Sequence, residues 1–297
     1  VRFRSARRMR NRENILAEVA RWLDNYNYLE KILNDVNPFS LAEIRKECSK
    51  KNIINSARLC REKLGLKQTE PIYDICGLLE GSGIKIHAIS VASDNFFGLS
   101  VREKDGGPAI IVNIWDRITV ERWIFSTAHE LGHLMLHSDG YDVNKTEENK
   151  EEEREADLFA SHFLMPDKGF KKEWKETAGL YWIDRILKIK RIFHVSYKTV
   201  IYRLIEHRIT DNSIWARFQL AYQQRYNRKL SFKEEPKAID SSEPSGLDKF
   251  DFYTDRFSLL VRKAIEKDKI SISRGAEMLG ISVSEMKDLL LSWEVFS

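Results

Sequence analysis

Five consecutive residues, His129-Glu130-Leu131-Gly132-His133, combine side chains that can hold a metal ion and use it. Imidazoles four residues apart lie on one face of a helix, so both can reach one ion. Glu130, one position after the first histidine, points beside that ion at a bound water, where it can act as general base for peptide hydrolysis. Zinc suits this set, because neutral imidazoles bind it and a catalytic site takes three protein ligands and leaves one position to water.

The surroundings favour a helix. Trp123, Ile124, Phe125, Ala128, Leu131, Leu134 and Met135 make the segment apolar, and no proline interrupts it between Glu121 and His137. A helix this apolar is buried, and burying two histidines and a glutamate without partners is costly. An accidental pair on a core helix therefore explains the apolar residues but not the polar ones.

Two patterns compete for the third ligand. One takes a later histidine of the same segment and needs Gly at position 136 and His at 139, where this chain has Leu136 and Asp139, so it fails. The other takes a carboxylate from a later helix, and the run Glu151-Glu152-Glu153-Arg154-Glu155-Ala156-Asp157 offers four glutamates. Glu153 is chosen because it alone has an Asp one turn on. Asp157 is placed to accept a hydrogen bond from the far nitrogen of a ligating histidine and so set its tautomer. Ala156 and Ala160 are small enough for this helix to approach the histidine helix closely. Glu151, Glu152 and Glu155 read as a solvated helix start favoured by the helix dipole. His137 falls a turn after His133 but drifts round the helix, so it reads as a helix-end cation. His87, His162, His194 and His207 are isolated in sequence and receive no role.

These segments resemble the ImmA/IrrE family of metallopeptidases, in Phe125-Ser126-Thr127-Ala128-His129-Glu130-Leu131-Gly132-His133 and again in Glu153-Arg154-Glu155-Ala156-Asp157-Leu158-Phe159-Ala160 through Leu164-Met165-Pro166. Weaker similarity covers Gly98-Leu99-Ser100, Ile110-Ile111-Val112-Asn113 and Arg203-Leu204, so it spans residues 70–208. The resemblance implies a gluzincin-like zinc endopeptidase that cuts or otherwise inactivates a DNA-binding repressor. In the family that repressor is often encoded nearby, on mobile elements or in toxin–antitoxin-like pairs. Some relatives carry a helix-turn-helix domain ahead of the peptidase, and Phe3-Arg4-Ser5 looks like the exit of such a domain.

Composition narrows the alternatives. At 297 residues and 42% hydrophobic content the chain can bury a large core. Cys48, Cys60 and Cys76 form no CxxC pair and give an odd count, which fits a reducing cytoplasm and argues against a disulfide framework or a second zinc site. No apolar run is long enough for a membrane span or a secretory signal. Arg2, Arg4, Arg7, Arg8, Arg10 and Arg12 precede the first acid, Glu13, and read as a solvated basic arm.

The expected fold class is α+β, with a small, mostly antiparallel sheet packed on the helix that bears His129, Glu130 and His133, and helical N- and C-terminal additions. Residues 1–66 read as a helical linker region, with a break at Asn37-Pro38 and a strong helical pattern over 40–64. Residues 67–210 read as the zinc metallopeptidase domain, with a strand over 84–89 and a hairpin of 97–102 and 109–114 across Asp105-Gly106. Which strand lies at the edge, where a substrate backbone could add, is open. Residues 211–297 read as a helical C-terminal region with a linker near 234–246. Two helix-turn-helix-like patterns, at 182–207 and 270–293, support a rival reading. In it the chain is a non-catalytic regulator or antitoxin-like module that binds DNA or a repressor. Seven basic residues against two acids over 180–208 suit phosphates, whereas eight against nine over 247–297 do not. Glu130 argues for catalysis, since a structural zinc site needs no base there. The expected partner is a protein substrate, with nucleic acid not favoured and no membrane.

Overall fold

The computed structural model describes residues 2–3, 12–93, 96–137, 149–230 and 243–294. Asp139, the basic arm over 4–11 and residues 234–242 of the expected linker lie outside the described residues. The architecture is α+β and mostly helical, around one small mixed sheet. Its strands are β1 (Arg2–Phe3), β2 (Lys85–Ile89), β3 (Gly98–Val101) and β4 (Ala109–Asn113), in the order β1-β3-β4-β2.

The expected hairpin is β3 and β4, antiparallel with Ser100 opposite Ile110. It turns through Gly106, whose φ of 95° lies in the left-handed region open to glycine. The expected strand over 84–89 is β2, but it runs parallel to β4, with Ile86 opposite Ile110. The sheet is therefore mixed. This pairing was hidden in the sequence because it depends on how the chain returns from β2, not on the hairpin's own residues.

Alternation along the strands supplies both faces of the sheet with apolar side chains. Ile84, Ile86, Ile110 and Val112 join one buried cluster, and Ile89, Leu99, Val101 and Ile111 join another. The first cluster receives α2 (Ile53–Lys63), α3 (Ile75–Gly81), α4 (Val120–Leu136), α5 (Lys150–Leu164), α6 (Asp167–Glu176), α7 (Trp182–Phe193) and α8 (Tyr197–Glu206). The second is covered by α1 (Arg12–Leu33), α10 (Arg256–Glu266), α11 (Ile272–Leu279) and α12 (Val283–Glu294). On α1 the buried side chains are Ile15, Val19, Trp22, Leu23, Tyr26 and Leu29, the stripe expected of a helix laid on a sheet.

Two sequence readings change here. The helical pattern over 40–64 forms an α-helix only from Ile53. The Ser49 side chain accepts from Lys51 N–H and the Asn52 side chain from Asn55 N–H, which restarts the helix; the apolar residues before it are buried by turns instead. The end of the expected linker is also anchored. The backbone carbonyls of Pro244 and Ser245 accept from Lys190 Nζ at 2.8 and 3.1 Å, and Leu247 N–H donates to Glu121 at 2.8 Å. Lys190 is fully buried and also pairs with Glu121 at 2.7 Å and Glu243 at 3.0 Å, so a strap from the C-terminal region grips the start of α4.

Candidate metal centre

The site is built on α4 and α5. Helix α4 begins where the Thr119 side chain accepts from Arg122 N–H, with Glu121 in the first turn suiting the helix dipole. Almost every side chain from Val120 to Leu136 is buried, including His129, Glu130 and His133. Helix α5 starts at the Asn149 cap, with Glu151, Glu152 and Glu153 in its first turn. Gly132 lets the two helices meet: a Cβ there would lie 3.3 Å from the Ala156 Cα and 3.1 Å from the Phe159 ring. The small residues that bring α5 close are thus on both helices, Gly132 facing Ala156.

That approach brings together three of the residues singled out in the sequence. His129 Nε2 and His133 Nε2 are 2.9 Å apart, and the Glu153 oxygens lie 3.2 Å from the first and 3.1 Å from the second. Each offers one ligand atom to a common point. Asp157 lies 2.8 Å from His129 Nδ1. Its carboxylate accepts the Nδ1 proton, which leaves the Nε2 lone pair of His129 directed at His133 and Glu153. Burial pushes the Glu153 carboxyl up, but the facing imidazoles of His129 and His133 outweigh this and hold it below the usual carboxylate range. Glu153 therefore stays ionised at neutral pH.

A divalent ion fits this set. Three nitrogen and oxygen donors 2.9–3.2 Å apart lie just inside the roughly 3.3–3.6 Å that tetrahedral ligands at about 2.0–2.2 Å from one ion take up. Lone pairs converging on one point are also a poor arrangement for neutral groups and a good one for a cation. Glu130 is buried and lies against the sheet: a Cβ on Gly98 of β3 would be 3.3 Å from the Glu130 Cγ and 3.4 Å from its Oε1. β3 is thus the strand beside the site, and Gly98 leaves room for the carboxylate.

Other acidic residues of α5 depart from the sequence reading. Glu151 is exposed as expected, but Glu155 is only 14% exposed and lies 2.7 Å from His137 Nε2. Glu152 pairs with Lys50 at 3.2 Å. His137 sits at the end of α4, as expected, yet its ring is buried and 2.8 Å from His133 Nδ1. The signal was available in the i, i+4 spacing of His133 and His137, but Glu155 could be found only once α5 was docked. Among the remaining histidines, His162 lies within hydrogen-bond distance of Arg203 and Glu206, and His87 stacks on Trp22 with its pKa pushed down to about 4 by burial. All of these are packing roles.

A cleft runs from Phe125 and Asp157 past Leu158 to Tyr202 and Trp215, so the flank of the site opens towards α8 and α9 (Ile214–Tyr226). Among the described residues no helix is long and apolar enough to cross a membrane. A search of curated proteins finds no match to this chain. Residues 79–205 match the family model described as the IrrE N-terminal-like domain, Peptidase M78. That stretch contains β2 to β4 and both helices of the site, and the match, together with the motif on α4, supports a metallopeptidase of the ImmA/IrrE family.

Proposed function

We propose that this chain is a zinc-dependent endopeptidase that cleaves, and so inactivates, a helix-turn-helix repressor encoded nearby, in a mobile-element or toxin–antitoxin-like setting. One observation carries the enzymatic half of this reading: the Nε2 atoms of His129 and His133 and the Glu153 carboxylate converge, with Glu130 on the same helix beside them. Residues 67–210 are the catalytic unit in this reading. Zinc, when bound, supplies a Lewis acid and a water acidified towards neutrality. His129, His133 and Glu153 hold it, and Asp157 keeps His129 in the ligating tautomer. Glu130 takes the proton of the attacking water and returns it to the leaving amine. The repressor half rests on family resemblance. The odd cysteine count, with no CxxC pair, supports a reducing, cytoplasmic setting.

The rival regulator draws on one observation. Helices α7 and α8 do form a helix-turn-helix-like pair, in which α8 packs Tyr197, Val200, Ile201 and Leu204 into the core and leaves Tyr202 and Glu206 exposed. Substituting Glu130→Gln separates the two readings. The variant should keep its zinc, because Glu130 is not a ligand, while cleavage of the repressor falls by about 10² to 10⁴ in rate. Incubation with the neighbouring repressor, with and without chelator, followed by mass spectrometry of fragments, reads the result. Undiminished cleavage by the variant would remove Glu130 from the mechanism, and unimpaired derepression without any cleavage would favour the regulator.

A further inference from the structure

The two histidines of the site are supported differently. His129 meets an acid directly, at Asp157, whereas His133 Nδ1 meets a third imidazole, His137 Nδ1, at 2.8 Å. His137 in turn places its Nε2 2.7 Å from Glu155 Oε2. All three rings are buried, and Glu155 is 14% exposed. The far end of His137 is also held, since Arg102, just beyond β3, donates to its backbone carbonyl at 2.5 Å. Lys50, ahead of α2, brings a positive charge to 4.0 Å from Glu155.

With His137 neutral, counting protons along this line gives one arrangement. An ionised carboxylate only accepts, so His137 donates from Nε2 to Glu155. Neutral His137 then has a lone pair on Nδ1, which accepts the Nδ1 proton of His133. With that proton on Nδ1, the Nε2 lone pair of His133 is turned towards His129 and Glu153, the direction a ligand needs. We infer that Glu155 and His137 are positioning residues, a relay that presets His133 in its ligating tautomer and so raises the affinity of the site for a divalent ion. The inference rests on the reading of His129, His133 and Glu153 as a metal centre.

The test uses the full chain. With nitrogen-15-labelled histidine, long-range proton–nitrogen correlation spectra of the metal-free protein report which nitrogen of His133 carries the proton. The parent should carry it on Nδ1. Glu155→Ala and His137→Phe should move it to Nε2, the nitrogen imidazole prefers when unconstrained, whereas Glu155→Gln, whose amide oxygen still accepts, should retain it on Nδ1. Zinc affinity, read by competition with a chromogenic chelator, should fall about 10- to 100-fold in the Ala and Phe variants and less in the Gln variant. Circular dichroism checks folding, and Glu155→Ala at the half-buried acid carries the test if His137→Phe does not fold. A proton on Nε2 in the metal-free parent, or unchanged tautomer and affinity in Glu155→Ala, would overturn the relay. If the tautomers behave as stated but the parent binds no divalent ion, the metal reading fails and with it the relay's effect on affinity.

Discussion

In the candidate centre each imidazole meets a second group, Asp157 for His129 and His137 for His133, and position likewise separates glutamates that are close in sequence. Glu153 faces both Nε2 atoms, Glu155 reaches the site only through His137, and Glu152 faces Lys50. Zinc content after dialysis should rank the three variants accordingly. Glu153→Gln, which loses a ligand charge, should weaken binding by more than the roughly 10- to 100-fold typical of an outer partner. Glu155→Gln should lose less, and Glu152→Gln should match the parent. Metal analysis showing equal loss in all three, or the largest loss at 155, would displace Glu153 as third ligand.

Helices α4 and α5 convert these preferences into a site because they touch at almost backbone distance. Gly132 sits where a larger residue would meet the Ala156 backbone and the Phe159 ring. Glycine inside a helix costs about 1 kcal/mol relative to alanine, so its presence in α4 needs such a reason. Gly132→Val should therefore destabilise the fold by about 1–3 kcal/mol through overpacking, and should also weaken zinc binding, because the displaced α5 carries Glu153 and Asp157. Urea unfolding with a parallel zinc titration measures both. Unchanged affinity in a destabilised variant would show that α5 can shift without opening the centre.

Across the molecule, both faces of the small sheet are covered, and the N- and C-terminal helices share the second face. Glu80, at the end of α3, lies where the two regions meet, near Asp255 at the start of α10. Burial first, and then the Asp255 charge, push its carboxyl up to about 8, against the opposing pull of Arg256. Folding therefore favours protonated Glu80. This contribution is complete below the unfolded pKa, near 4.5, and is lost as pH rises through about 8. Glu80→Gln keeps the shape without the ionisation, so its stability relative to the parent should climb between pH 5 and 8, by on the order of a few kcal/mol. Denaturant midpoints of both proteins across that range decide it, and a constant difference would mean that Glu80 is ionised throughout.

Much of the centre was readable in the residue order because its chemistry is local. The spacing of His129 and His133 puts both imidazoles on one helical face, and Asp157 is one turn from Glu153 wherever α5 lies. The β3–β4 hairpin was likewise readable, since Gly106 and the alternating apolar residues are neighbours in the chain. The order of residues could not show the parallel return of β2, the grip of Lys190 on the strap at 243–247, or the restart of the helix at Ile53. It also could not distinguish Glu155 from a solvated acid, because a carboxylate on a helix start has the same sequence whether it faces water or a buried imidazole. Only the docking of α5 on α4, through Gly132 and Ala156, decides which of the two it meets.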